Sequence, residues 1–205
     1  MMRDLITAFG SAARVRMTGA GWRKRAGDIY THDLGDGFHA WVGLNRASKH
    51  HPLRITPVAG LRYDPLEQLL ADLTGSGSPT SATIARPVGY LAPGHSFLQL
   101  QVADTGDAER AAGELHDLVQ GYGLPFAQQH ANTGALLTAL RVGGNVPNPD
   151  RTRILIPALH FLRGDIDQTR SCLAHGLSHY GQDMGMPVVA EYHRFANALT
   201  TRLPT

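Results

Sequence analysis

Cys172, His175 and His179 are the residues of this 205-residue chain whose types and spacing come nearest to doing chemistry. At 100° per residue they fall within roughly 60° of one helical face, opposite Leu173 and Leu177. A thiolate and two imidazoles so placed could hold zinc with one further ligand from elsewhere, or form a thiol–imidazole nucleophile pair. Structural zinc sites draw their ligands from two elements, and no second Cys-x2-Cys or His-x3-His pair exists. The nucleophile would need a third orienting group and a depressed thiol pKa, and neither can be read from the residues. A polar, solvent-facing helix side with two ordinary histidines is the simpler expectation.

A second group is basic. Lys49, His50, His51 and Arg54 share one loop between two strand patterns, and Arg23, Lys24 and Arg25 open the same meander. Together they could make a cationic patch for phosphates or for an acidic partner. A solvated hairpin loop is the competing expectation. Nucleic-acid modules add aromatics to such a face, and only Trp41 is well placed, which makes nucleic acid the poorer partner. Alternation sets Trp41 against Phe38, Ala40, Val42 and Leu44. The tryptophan is exposed if helices cover one face of the sheet, and core if they cover both.

The glycine clusters at 19–21, 75–77 and 143–144 fit no dinucleotide or phosphate-binding loop, and Gly-x-Ser-x-Gly and His-Glu-x-x-His are absent. Asp104, Asp107 and Glu109 sit where a helix start explains them. The chain reads as non-catalytic, with no cofactor implied.

The elements around these residues follow from apolar spacing. Leu5, Ile6, Phe9, Ala12, Ala13 and Met17 share a helical face that Gly19 and Gly21 end. Strands are expected at 29–32, 38–44, 53–58, 83–91 and 97–102, with Pro57 marking an edge or a bulge. Helices are expected from Pro65 to Thr74, from Asp107 to Tyr122 with a break at Gly123-Leu124-Pro125, and through Leu136, Leu137 and Leu140. After a boundary at 143–149 come three helices carrying Leu155, Leu159, Leu173, Leu177, Tyr192 and Phe195. The fold expected is α+β: residues 1–143 form an antiparallel sheet with packed helices, and 150–205 a small all-helical C-terminal cap packed on them. A partner surface then belongs on the loops around Lys49 to Arg54.

Composition sets outer limits. The formal charge of +2 is too small to require a polyanionic partner. Of nineteen cationic side chains only Lys24 and Lys49 are lysines, a bias that suggests a high-GC bacterial genome. A single cysteine rules out an internal disulfide, no apolar run suits a membrane helix, and cytoplasmic is the default.

The order of the elements resembles a bacterial domain-of-unknown-function family, the one numbered four-three-zero-four. The likeness covers roughly residues 1–142. It rests on the leading helix, Gly21-Trp22-Arg23-Lys24-Arg25 with Ile29-Tyr30, a strand ending in Ala47-Ser48-Lys49, the strand Ile55 to Val58 with its following helix, and Gly123-Leu124-Pro125-Phe126. The family brings no activity to carry over. It implies a small non-catalytic bacterial protein, with some relatives similar to immunity proteins that neutralise toxins. A cytoplasmic protein-binding module is therefore the expected function, with a metal- or thiol-dependent enzyme or a nucleic-acid binder as alternatives, and oligomeric state left open.

Overall fold

Five apolar positions at helical spacing, Leu5, Phe9, Ala12, Ala13 and Met17, are buried along one side of the opening helix α1 (Met2–Gly19). The helix ends as the sequence predicts. Gly21 takes a positive φ of 84°, and the Trp22 amide donates back to the Met17 carbonyl at 3.0 Å. The computed structural model describes residues 1–49, 51–75, 80–144, 149–181 and 183–204. His50, the tip of the predicted loop at 76–79 and part of the predicted boundary at 145–148 lie outside the described residues.

An antiparallel meander follows: β1 (Arg23–Lys24), β2 (Ile29–Gly35), β3 (Phe38–Ala47) and β4 (Leu53–Tyr63). The β2–β3 turn needs left-handed backbone at Gly35, Asp36 and Gly37 in succession, which explains its two glycines. β5 (Ile84–Pro87) and β6 (Leu100–Val102) both pair antiparallel with β4. β6 takes Leu53 to Ile55 and β5 takes Val58 to Leu61, so Pro57 falls in the gap between two partners. The proline thus lies within a central strand, at a point where neither β5 nor β6 needs its missing N–H.

The chain divides into two units, each built from two stretches. The first comprises Met1–Arg62 and Ala82–Ala131. Here α1 packs on α3 (Asp107–Leu118), and the meander's buried set includes Tyr30, Ala40, Val42, Ile55 and Leu61. The expected break at Gly123 is a change of pitch. A π-helical turn (Val119–Gly123) runs directly into α4 (Leu124–His130), with Pro125 in its first turn. A Cβ on Gly123 would come within 2.9 Å of the Ala59 Cβ, so the close approach of this turn to β4 calls for glycine.

The second unit comprises Tyr63–Ser81 and Asn132–Thr205. It is helical: α2 (Asp64–Thr74), α5 (Thr133–Val142), α6 (Pro149–Leu162), α7 (Ile166–Tyr180) and α8 (Pro187–Thr200). Helices α2 and α5, which the sequence places in a first domain ending at 143, belong to this unit. α2 packs on α6 and α8, and α5 on α6. The physical reason is that their leucine stripes, Leu66, Leu69, Leu70 and Leu73 and then Leu136, Leu137 and Leu140, are buried where α2 meets α6 and α8 and α5 meets α6, helices whose own buried set includes Leu155, Leu159, Phe195 and Leu199. Arg151 adds a fork, its Nη2 lying 3.0 and 2.9 Å from the two oxygens of buried Glu67.

Candidate functional site

In the first unit, strand register sorts the basic residues onto two faces. Arg23 pairs with Thr31 and Thr31 with Trp41, which makes one row across β1, β2 and β3. Arg25, two residues on from Arg23, shares that face and donates its Nε–H to the Thr31 hydroxyl at 2.9 Å. Trp41 is half-buried: its ring lies over Gly43, where an added Cβ would come within 2.3 Å of Cη2. Arg23 and Arg25 are exposed on the same face.

Lys24 is not part of this row. It pairs with Tyr30, opposite Val42, and its ammonium sits 5.2 Å from the Tyr30 ring centre while donating to the carbonyls of Arg25 (2.9 Å) and Gly27. Burial pulls its pKa below the usual lysine value, offset in part by Asp28. Asp28 in turn holds Arg46.

Of the loop residues, Lys49 and Arg54 are exposed. His51 has a structural use, its Nε2 lying 2.7 Å from the Ala103 carbonyl. Beside it, Asp104 accepts from the Asp107 amide and Asp107 from the Ala103 amide, each at 3.0 Å. These carboxylates secure the start of α3, as their spacing suggests.

The second unit holds a cavity of about 520 Å³ between α5, α6 and α7. Cys172 and His175 line it together with Ser171, all from α7. His179 lies elsewhere, its ring edge-on to Tyr180 at 5.2 Å. Among the described residues no three His, Cys, Asp or Glu side chains gather as a metal ion would need. Facing α7 across the cavity are Leu140 and Arg141 of α5 and Arg153, Ile156 and Pro157 of α6.

Two polar relays set the arginines. His160, 3% exposed, has Nδ1 at 3.1 Å from Asp165 and Nε2 at 3.1 Å from Arg141 Nη2. Arg141 can only donate, so Nε2 accepts and Nδ1 carries the proton toward Asp165. Bonds from Arg163 first, and then from His160, hold the Asp165 carboxyl below its usual range. Arg153 is 3.5 Å from Asp150 and 5.7 Å from the Tyr180 ring centre. Burial pushes the Cys172 thiol up, against a smaller downward pull from Arg141. The shift favours the protonated thiol over the thiolate.

No family model, curated protein or solved structure gives a significant match to the chain.

The α7 spacing brings Cys172 and His175 into one cavity, whereas the opposing Arg141 and Arg153 carry no signal in the sequence. Their convergence depends on how α5 and α6 pack against α7. Pro157, buried inside α6, was the one local oddity that could have drawn attention to that wall.

Proposed function

We propose that this chain is a non-catalytic module that binds an acidic protein through the Arg23–Thr31–Trp41 row of its sheet. The observation that carries the reading is that half-buried Trp41, pressed on Gly43, shares one sheet face with the exposed Arg23 and Arg25. Tryptophan and arginine are the side chains that contribute most when desolvated at an interface. Cationic side chains also favour encounter with an acidic surface over a basic one. Exposed Lys49 and Arg54 extend the same sign of charge. A cytoplasmic setting fits this reading. Among the described residues no helix is long and apolar enough to cross a membrane.

The likeness to the four-three-zero-four family supplies a narrower version, in which the acidic partner is a toxin and this chain its immunity or antitoxin protein. A toxin or effector gene beside this one favours that version. A neighbourhood of metabolic genes removes it and leaves the general reading in place.

The test is quantitative co-purification from the native host with wild type, Trp41→Ala and Arg25→Glu chains. One acidic protein is expected with wild type, its affinity lowered about 30-fold by either substitution, the loss typical of a central interface residue. The reading is overturned if no protein co-purifies, or if the bound material is nucleic acid released steeply by salt.

A further inference from the structure

We propose that the cavity between α5, α6 and α7 is a binding site for a small amphipathic monocarboxylate, with Arg141 as the anion anchor. This goes beyond the protein-binding reading and stands independently of it, since all the residues concerned lie in the helical unit.

The cavity has the size of ordinary small-ligand sites, which run from about 300 to 1,000 Å³. Its lining gives the ligand's chemistry. Leu140, Ile156 and Pro157 provide apolar walls, and exposed Arg141 and partly buried Arg153 line its rim with no carboxylate among the described lining residues. A neutral apolar guest would leave the Arg141 charge without a counter-ion, and a cation would be repelled.

The two arginines are not equivalent. Arg153 already has Asp150 at 3.5 Å and the Tyr180 ring beneath it. Arg141 has no direct carboxylate among the described residues. Among the described residues its hydrogen-bond partner is the neutral acceptor His160 Nε2, which fixes the guanidinium by Nη2 and leaves its other N–H groups to a guest. Asp165 sets the tautomer of His160 from behind, so the anchor is oriented before any ligand arrives. A planar carboxylate matches the fork of the remaining donors.

Cys172 reports occupancy, because it lines the same cavity and is the chain's sole cysteine. The experiment follows its alkylation by iodoacetamide in the full chain, at alkaline pH, by intact-mass spectrometry. Octanoate and 2-naphthoate are compared at millimolar concentration with the neutral octan-1-ol and 2-naphthalenemethanol.

At ligand concentrations about ten times Kd, at least one carboxylate is expected to slow alkylation about tenfold, in proportion to the occupied fraction. The matching alcohol leaves the rate within about twofold of the free protein. Arg141→Met should abolish the protection while circular dichroism stays native, and Ile156→Trp, which fills the cavity, should abolish it by a separate route. The proposal is overturned if neither carboxylate protects, if an alcohol protects as well as its acid, or if native-like Arg141→Met keeps full protection.

Discussion

Gly176 and Tyr192 show how tightly a single position can be specified. A Cβ on Gly176 would lie 1.9 Å from the Tyr192 hydroxyl oxygen and 2.3 Å from Cζ, and Tyr192 is 1% exposed. The ring cannot retreat, so Gly176→Ala should cost about 1–3 kcal/mol in chemical denaturation, as overpacking typically does. The Tyr192 hydroxyl is buried without a hydrogen-bond partner among the described residues. Tyr192→Phe should therefore be neutral or stabilising by up to about 1 kcal/mol, since it removes a desolvated group that gains nothing back. The same burial affects titration. It pushes Tyr180 and Tyr192 up to about 12, with the Asp150 hydrogen bond adding to the effect at Tyr180 and the neighbouring Tyr180 at Tyr192. The fold thus favours their neutral forms. That contribution is complete below the unfolded value of 10.0 and drains away as pH rises through about 12. Denaturation midpoints should fall between pH 10 and 12, and fall less in Tyr192→Phe; an equal fall in both would remove Tyr192 from the explanation.

Asp165 works in the opposite direction, because its carboxylate is the favoured form. The stability it contributes is present above the ordinary value of 3.8 and is lost as pH drops through its lower folded value. Midpoints measured on acidification should decline less steeply in Asp165→Asn than in wild type. Parallel declines would mean that the Arg163 and His160 contacts carry no linkage.

Among the elements, those with a repeating apolar face could be read from the chain, because periodicity is a local property. The leading helix, the meander, and the helices at 64–74, 107–118, 166–180 and 187–200 all lie where their spacing puts them. The apolar runs at 83–91 and 97–102 did not become full strands. β5 stops at Pro87, a three-residue 3-10 turn (Val88–Tyr90) takes over, and Phe97 is 59% exposed. Gly89 explains the switch: a Cβ there would sit 2.2 Å from the Ser96 carbonyl oxygen, so two backbone segments meet where a strand was expected. Such a meeting is tertiary and leaves no period. The pairing of α2 with α6 is equally invisible to spacing, because it rests on Leu66 and its neighbours finding partners far along the chain. Arg151→Met tests it directly. Glu67, 6% exposed, would lose its forked partner, and a cost of about 1–3 kcal/mol is expected in chemical denaturation, held to that range by Arg151's partial exposure. A change below a few tenths of a kcal/mol would show the pair to be incidental.

At the scale of the whole molecule the most consequential finding is that neither unit is a continuous stretch of chain. The sequence suggests a boundary at 143–149 because glycine and proline cluster there, and composition is the usual mark of a linker. The contacts ignore that cluster: α2 and α5 lie before it, yet pack with helices after it. Ending the chain at Gly144 would strip α6 and α8 from α2 and leave Leu66, Leu69, Leu70 and Leu73 without their cover. The fragment should aggregate or melt without a cooperative transition. A soluble fragment with a sharp melt near the full-length Tm would contradict the interleaved arrangement.

That interleaving also imposes a schedule on synthesis. α2 leaves the ribosome well before α6 and α8 exist, with all of unit one's β5, β6 and α3 still to be translated between them. At about 5–20 residues per second the delay lasts several seconds, against the roughly microsecond lifetimes of isolated short helices. A helix of eleven residues is marginal alone in water, so α2 spends that interval largely unstructured, its four leucines accessible to any holdase that binds apolar segments. The nascent chain thus carries an uncovered apolar segment through the middle of its translation, and faster delivery of Pro149 to Thr200 shortens that exposure.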